Sequence, residues 1–155
     1  MRTIGIDPGA TGALAYFQNG ALSDIMDIPM EGSDMRSWYL WRNLTQRWFG
    51  VDYIAIERVE QRPKQSGVVS MISNYGRLLA VCEIAFPAAF IEFIPSKSWQ
   101  KHLCLPKDVT ARKRAYTATA AAKWPGFSWY GPRGGLRDGR AAAALIGSYA
   151  GGLNV

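Results

Sequence analysis

The sequence predicts an α/β domain built on a five-stranded mixed sheet flanked by helices, with three antiparallel strands coming first. Three observations carry that prediction. Residues 1–28 hold three short apolar runs separated by tight turns, the pattern of an antiparallel meander. Further apolar runs at 51–56 and 90–94 alternate with segments of helical period, the pattern of strands joined by crossover helices. The composition, 48% hydrophobic and 19% charged over 155 residues, is that of an ordinary globular chain, expected to form one domain spanning residues 1–155.

Each element has its own signal. Thr3 to Ile6 is apolar and ends at Asp7-Pro8-Gly9, a strand running into a turn. Residues 12–17 resume the apolar pattern, Gln18-Asn19-Gly20 is a hairpin turn, and 21–28 make the third strand. Ser33 or Asp34 is expected to cap a helix reaching about Trp48, with Trp38, Trp41, Leu44 and Trp48 toward the core. Residues 51–56 read as a central strand ending at Glu57, and 58–66 as a polar loop. A helix over 68–86 is apolar around most of its circumference, so it must bury more than one face, one of them on a second partner such as another subunit. A strand at 90–94, a short helix at 97–103, a longer one at 110–123, a Gly/Pro-rich loop at 124–137 and a last helix at 139–150 complete the chain. Trp124, Phe127, Trp129 and Tyr130 in that loop read mainly as core, with base stacking as the alternative. Cys82 and Cys104 read as small hydrophobes in a reducing compartment. No apolar run is read as a membrane span and no signal peptide is seen, so a cytoplasmic location is expected.

Charge is divided along the chain. The net charge is +6, yet residues 1–95 carry eight basic and ten acidic residues, against ten and two in residues 96–155. One part is suited to anions and the other holds most of the carboxylates, and a nucleic-acid enzyme needs both.

Asp7 sits where a buried strand meets a glycine turn, a position equally suited to starting a turn or to building a metal or phosphate site. Glu57 ends another strand. If the two strands are neighbours, the carboxylates repel unless a hard divalent cation lies between them. Glu60 is expected to point to solvent or to an Arg. Asp138 precedes the last helix and reads either as its N-cap or as a further ligand.

Ile4-Gly-Ile-Asp-Pro-Gly-Ala-Thr-Gly-Ala13, then Ile54-Ala-Ile-Glu-Arg-Val59, then Asp138-Gly-Arg-Ala-Ala-Ala-Ala-Leu145 together resemble the RuvC-type Holliday-junction resolvases, in particular their phage-encoded branch. Gln65-Ser-Gly-Val-Val-Ser-Met71, Tyr75-Gly-Arg77 and Trp99-Gln-Lys-His-Leu-Cys-Leu-Pro-Lys107 support the resemblance, which covers nearly the whole chain in order. It implies an RNase H-like fold, a homodimer, for which the 68–86 helix is the natural interface, and hydrolysis of four-way DNA with Mg²⁺ or Mn²⁺. By position, the implied metal ligands are Asp7, Glu57 and Asp138, around two ions about 4 Å apart. Lys107 and Lys113 are candidates for the cation at the transition state, with Lys101 behind them. His102 is the only histidine, and a structural or surface role is favoured for it over acid–base work. Arg62, Lys64, Lys97, Lys101, Arg112, Arg114, Arg133, Arg137 and Arg140 are the implied DNA contacts, and the 58–66 loop is placed to enter the junction centre.

The pattern departs at one position. Phage relatives look like Asp-Gly-Arg-Ala-(Asp/Glu)-Ala at the last helix, whereas this chain has Ala142 where the second acid is expected. Either three acids suffice or an acid has been replaced and the chain is inactive. The competing functions are accordingly a protein that binds branched DNA without cutting it, a nuclease acting on RNA or RNA–DNA hybrids, and, less favoured, a nucleotide-binding member of the kinase/ATPase superfamily.

Overall fold

The computed structural model describes residues 1–59 and 67–152, and for His102 the backbone alone. Its main sheet has the strand order β3-β2-β1-β6-β7, from β1 (Arg2–Asp7), β2 (Ala13–Gln18), β3 (Ala21–Asp27), β6 (Tyr53–Glu57) and β7 (Phe90–Ile94). The first three strands pair antiparallel, and β1–β6 and β6–β7 pair parallel. This is the expected five-stranded mixed sheet.

Alternation along the strands separates two cores. Ile4, Ile6, Leu14, Tyr16, Ile54 and Ile56 face one side, with α1 (Ser37–Arg47) and α2 (Val68–Ala85) over them. Ala13, Ala15, Phe17 and Ala55 face the other, under α5 (Asp138–Ala150) with α4 (Val109–Lys123) and α3 (Ser96–Gln100) beside it. A 3₁₀ turn, Lys101–Leu103, follows α3.

The α5 side is packed on small residues. A Cβ at Gly5 would run into the Ala143 carbonyl, and one at Gly139 into the Thr11 carbonyl. Glycine at both points lets α5 lie directly on β1 and brings its first residue to the end of that strand.

Several expectations are corrected. The helix expected from Ser33 or Asp34 begins at Ser37, and two short strands, β4 (Met30–Glu31) and β5 (Asp34–Met35), precede it. Asn74 of α2 accepts from the Met35 amide (3.0 Å) and donates to the Ser33 carbonyl (2.7 Å), holding this backbone as a ribbon. Trp38 is 64% exposed and stacks on Trp41, ring centroids 5.0 Å apart, while Leu40 takes the core position beside Leu44 and Trp48. Cys104 is exposed, with φ +47, unlike buried Cys82. By length and composition α2 would suffice to cross a membrane, contrary to expectation, although Leu78, Val81 and Cys82 pack into the core. Its outer face leaves Val69 83% and Ile84 69% exposed. Trp129 is buried with Trp124 and Phe127 packed around it, whereas Tyr130 is exposed.

Candidate active site

The parallel pairing of β1 with β6 decides the first two site residues. Ile6 is opposite Ile56, so Asp7 and Glu57 are the next residues on adjacent strands. By strand parity both share the face of Gly5 and Ala55, the face that α5 covers. Gly139's approach to Thr11 then sets Asp138 at the same edge. Three carboxylates from β1, β6 and α5 thus meet at one end of the sheet.

Their electrostatics show how closely they interact. Asp7 is partly exposed at its rim, but the protein around its carboxyl, with the Glu57 charge next and then that of Asp138, pushes its pKa up to about 7. The Gly9 amide, donating to Asp7 Oδ1 at 2.9 Å, and the Lys113 charge pull the other way without cancelling the rise. Asp138 is not a cap: the N-cap residue is Arg137, without a side-chain cap bond. The Asp138 carboxylate instead pairs with Lys113 Nζ at 2.5 Å and lies near the Tyr116 hydroxyl. Burial first, and then the Asp138, Asp7 and Glu57 charges, hold the Tyr116 phenol well above its usual range. On the other side, Trp99 Nε1 donates to Glu57 Oε1 at 3.2 Å.

Trp99 and Tyr116 are the residues that sequence reasoning missed. Trp99 lies in a stretch already notable for its resemblance, and Tyr116 is one helical turn beyond Lys113, but nothing in composition ties either ring to an acid.

A cleft of about 610 Å³ opens from Asp7 and Glu57 and runs between the β4–β5 ribbon and the start of α2, past Met30, Met35, Met71 and Asn74.

The basic candidates fall into groups. Lys113 reaches the acids, and Arg137 immediately precedes Asp138. Lys97, Lys101, Lys107, Arg114 and Arg133 are exposed. Arg112 is engaged locally, donating to the carbonyls of Pro106 (3.2 Å) and Lys107 (2.6 Å). Arg140, its side chain 19% exposed, forms a two-pronged pair with Asp27 at 2.5 and 2.6 Å, so its charge is met inside the fold. Glu60, Arg62 and Lys64 lie outside the described residues, as does the His102 side chain. Ala142, 3% exposed, belongs to the apolar layer that includes Trp99 and Tyr116.

Among the described residues, no group of three or more His, Cys, Asp or Glu side chains stands close enough to hold a metal ion as arranged. The donor chemistry nevertheless fits a hard divalent cation: three carboxylates at one edge repel one another, and Lys113 offsets that only in part.

No family model and no curated protein matches the chain. Solved structures do. A Thermus thermophilus RuvC in complex with a Holliday junction substrate is similar at TM-score 0.67 and 12% identity, covering 99% of this chain and 97% of that one. A second Thermus thermophilus RuvC structure is similar at TM-score 0.60 and 17% identity, covering 99% and 98%. The fold of this chain is therefore the RuvC form of the RNase H-like fold.

Proposed function

We propose, starting from that fold, that the protein is a divalent-metal-dependent endonuclease that cuts four-way and related branched DNA by phosphodiester hydrolysis. The observation that carries the reading is the meeting of Asp7, Glu57 and Asp138 at one sheet edge, on a fold shared along nearly its whole length with a RuvC bound to a junction.

In this reading Asp7 is the shared ligand, and Glu57 and Asp138 each hold one side of the site. Mg²⁺ or Mn²⁺ held there would activate water and stabilise the leaving 3′ oxygen. Lys113, already paired with Asp138, stands within reach of a phosphate placed at the acids. Lys107 is a second candidate for this duty, from the loop before α4. Lys97, Lys101, Arg114, Arg133 and Arg137 are proposed to grip phosphates without reading sequence. The exposed apolar face of α2 is proposed to pair two copies, whose symmetry would match that of a junction. A phage origin and action in the host cytoplasm go with this reading.

The second reading, binding without cutting, is favoured by Ala142, a buried methyl group where the resemblance to phage-encoded resolvases leads one to expect an acid. The deciding experiment incubates a labelled four-way junction with the protein and Mn²⁺, beside Ala142→Asp and Ala142→Glu. Cutting by the unaltered chain, or a gain of roughly 10–100-fold on restoring the acid, supports the nuclease. Tight junction binding with no cutting by any of the three supports the binding protein. Preference for an RNA–DNA hybrid over the junction would overturn both.

A further inference from the structure

Three carboxylates share one sheet edge, yet as arranged they do not close on a common ion, and one of them already has a cation. Lys113 Nζ lies 2.5 Å from Asp138 Oδ2, and its charge is felt at Asp7 as well. The two partners differ in freedom. Asp138 opens α5, which is seated so closely on the Thr11 carbonyl that Gly139 has no room for a methyl group, and its side chain is 15% exposed. Lys113 projects from α4 on a flexible four-carbon stem and is 45% exposed. The lysine, not the aspartate, is therefore the partner that can leave. Arg112 and Arg114 flank it in sequence, and the acid at this end of α4, Asp108, is engaged in capping the helix through the Ala111 amide at 2.7 Å. A phosphate arriving there meets three positive charges.

We propose that Lys113 is a tethered cation that occupies Asp138 until a DNA phosphate draws it away, so that phosphate binding frees the third carboxylate for a divalent ion. The proposal rests on the metal-site reading above and concerns the regulation of that same site. An ammonium group and a divalent ion on one carboxylate stand a few ångströms apart and repel each other, so the two compete. A phosphate oxygen accepts from the ammonium as well as Asp138 does, and so takes its place. Divalent ion and DNA then strengthen each other's binding by the same factor. The protein without DNA holds the ion weakly, and its affinity rises when substrate is seated.

The test measures binding and not cutting, so the state of Ala142 does not obscure it. Mn²⁺ is titrated by calorimetry into the full chain, Lys113→Met and Lys113→Gln, without DNA and at constant ionic strength, with thermal melts to show that each variant is folded. Arg42→Met removes the same charge from an exposed position on α1, across the sheet, and serves as the control. The expected result is Mn²⁺ binding tightened about fivefold or more by either Lys113 change and unaltered by Arg42→Met. Junction affinity is then followed by fluorescence anisotropy with and without Mn²⁺, the strands being checked intact on a denaturing gel. Mn²⁺ is expected to strengthen junction binding by the parent about fivefold more than by Lys113→Met. Unchanged or weakened Mn²⁺ affinity in the folded Lys113 variants overturns the proposal, because the lysine then supports the site or stands apart from it. Equal tightening by Arg42→Met reduces the effect to bulk charge and overturns it too, as does an equal Mn²⁺ effect on junction binding in parent and variant. Absence of Mn²⁺ binding by the parent and by both Lys113 variants would instead overturn the metal-site reading itself, and the proposal with it.

Discussion

Asp7 shows how one side chain ties stability to pH. Its pKa of about 7 lies well above that of an unfolded aspartate, because burial and two neighbouring acids disfavour its charge. The folded state therefore binds the proton more tightly than the unfolded chain does. The resulting stability is fully present below about pH 4 and is lost as pH rises through 7. Asp7→Asn is accordingly expected to raise the metal-free stability at pH 8 by about 1–2 kcal/mol and to change it little at pH 4, measured by denaturant melts at the two values. The same proton competes with a cation, so Mn²⁺ affinity of the parent should strengthen between pH 6 and 8 in calorimetry.

At the scale of elements, the seam between α5 and β1 places the site. Gly139→Ala would drive a methyl group into the Thr11 carbonyl, a backbone atom with little freedom to yield. A loss of about 1–3 kcal/mol is expected, with Gly126→Ala, which meets open space, as the exposed control in the same thermal melts. The seam also shows what was legible in the sequence and what was not. Strands announced themselves as short apolar runs between turns, and Asp7 and Glu57 by ending two of them, so their adjacency needed only the pairing of β1 with β6. The small residues of α5 read as good helix formers, and their close approach to the sheet was invisible until β1 lay beneath them. Asp138 carried two meanings, cap or ligand, which only the positions of Lys113 and Tyr116 could separate. The start of α1 was misplaced because Asn74, a distant residue, holds the backbone of residues 33–35 and outweighs local capping preference. Trp38 was assigned inward by spacing alone, although Leu40 fills the core place on that helix.

For the whole molecule, the divided charge and the apolar face of α2 make separate predictions. If the basic half grips phosphate, log affinity for a junction falls linearly with log salt concentration, and each true contact removed lowers the slope by about one. Arg114→Ala with Arg133→Ala is expected to lower it by about two, in binding titrations across a salt series, whereas Arg140→Ala should affect stability more than slope, since its partner is Asp27. If α2 joins two copies, Val69→Asp with Ile84→Asp should give monomers in sedimentation while the fold survives, because both side chains project outward. The path of the chain carries one more consequence. Asp7 belongs to the first strand and Asp138 to the last helix, and that helix covers the first strand. A partly synthesised chain therefore holds neither the complete acid set nor the roof above it. If these acids form the nuclease site proposed above, a chain made only as far as α4 is expected not to cut DNA, because the third acid and the helix over β1 both arrive with α5.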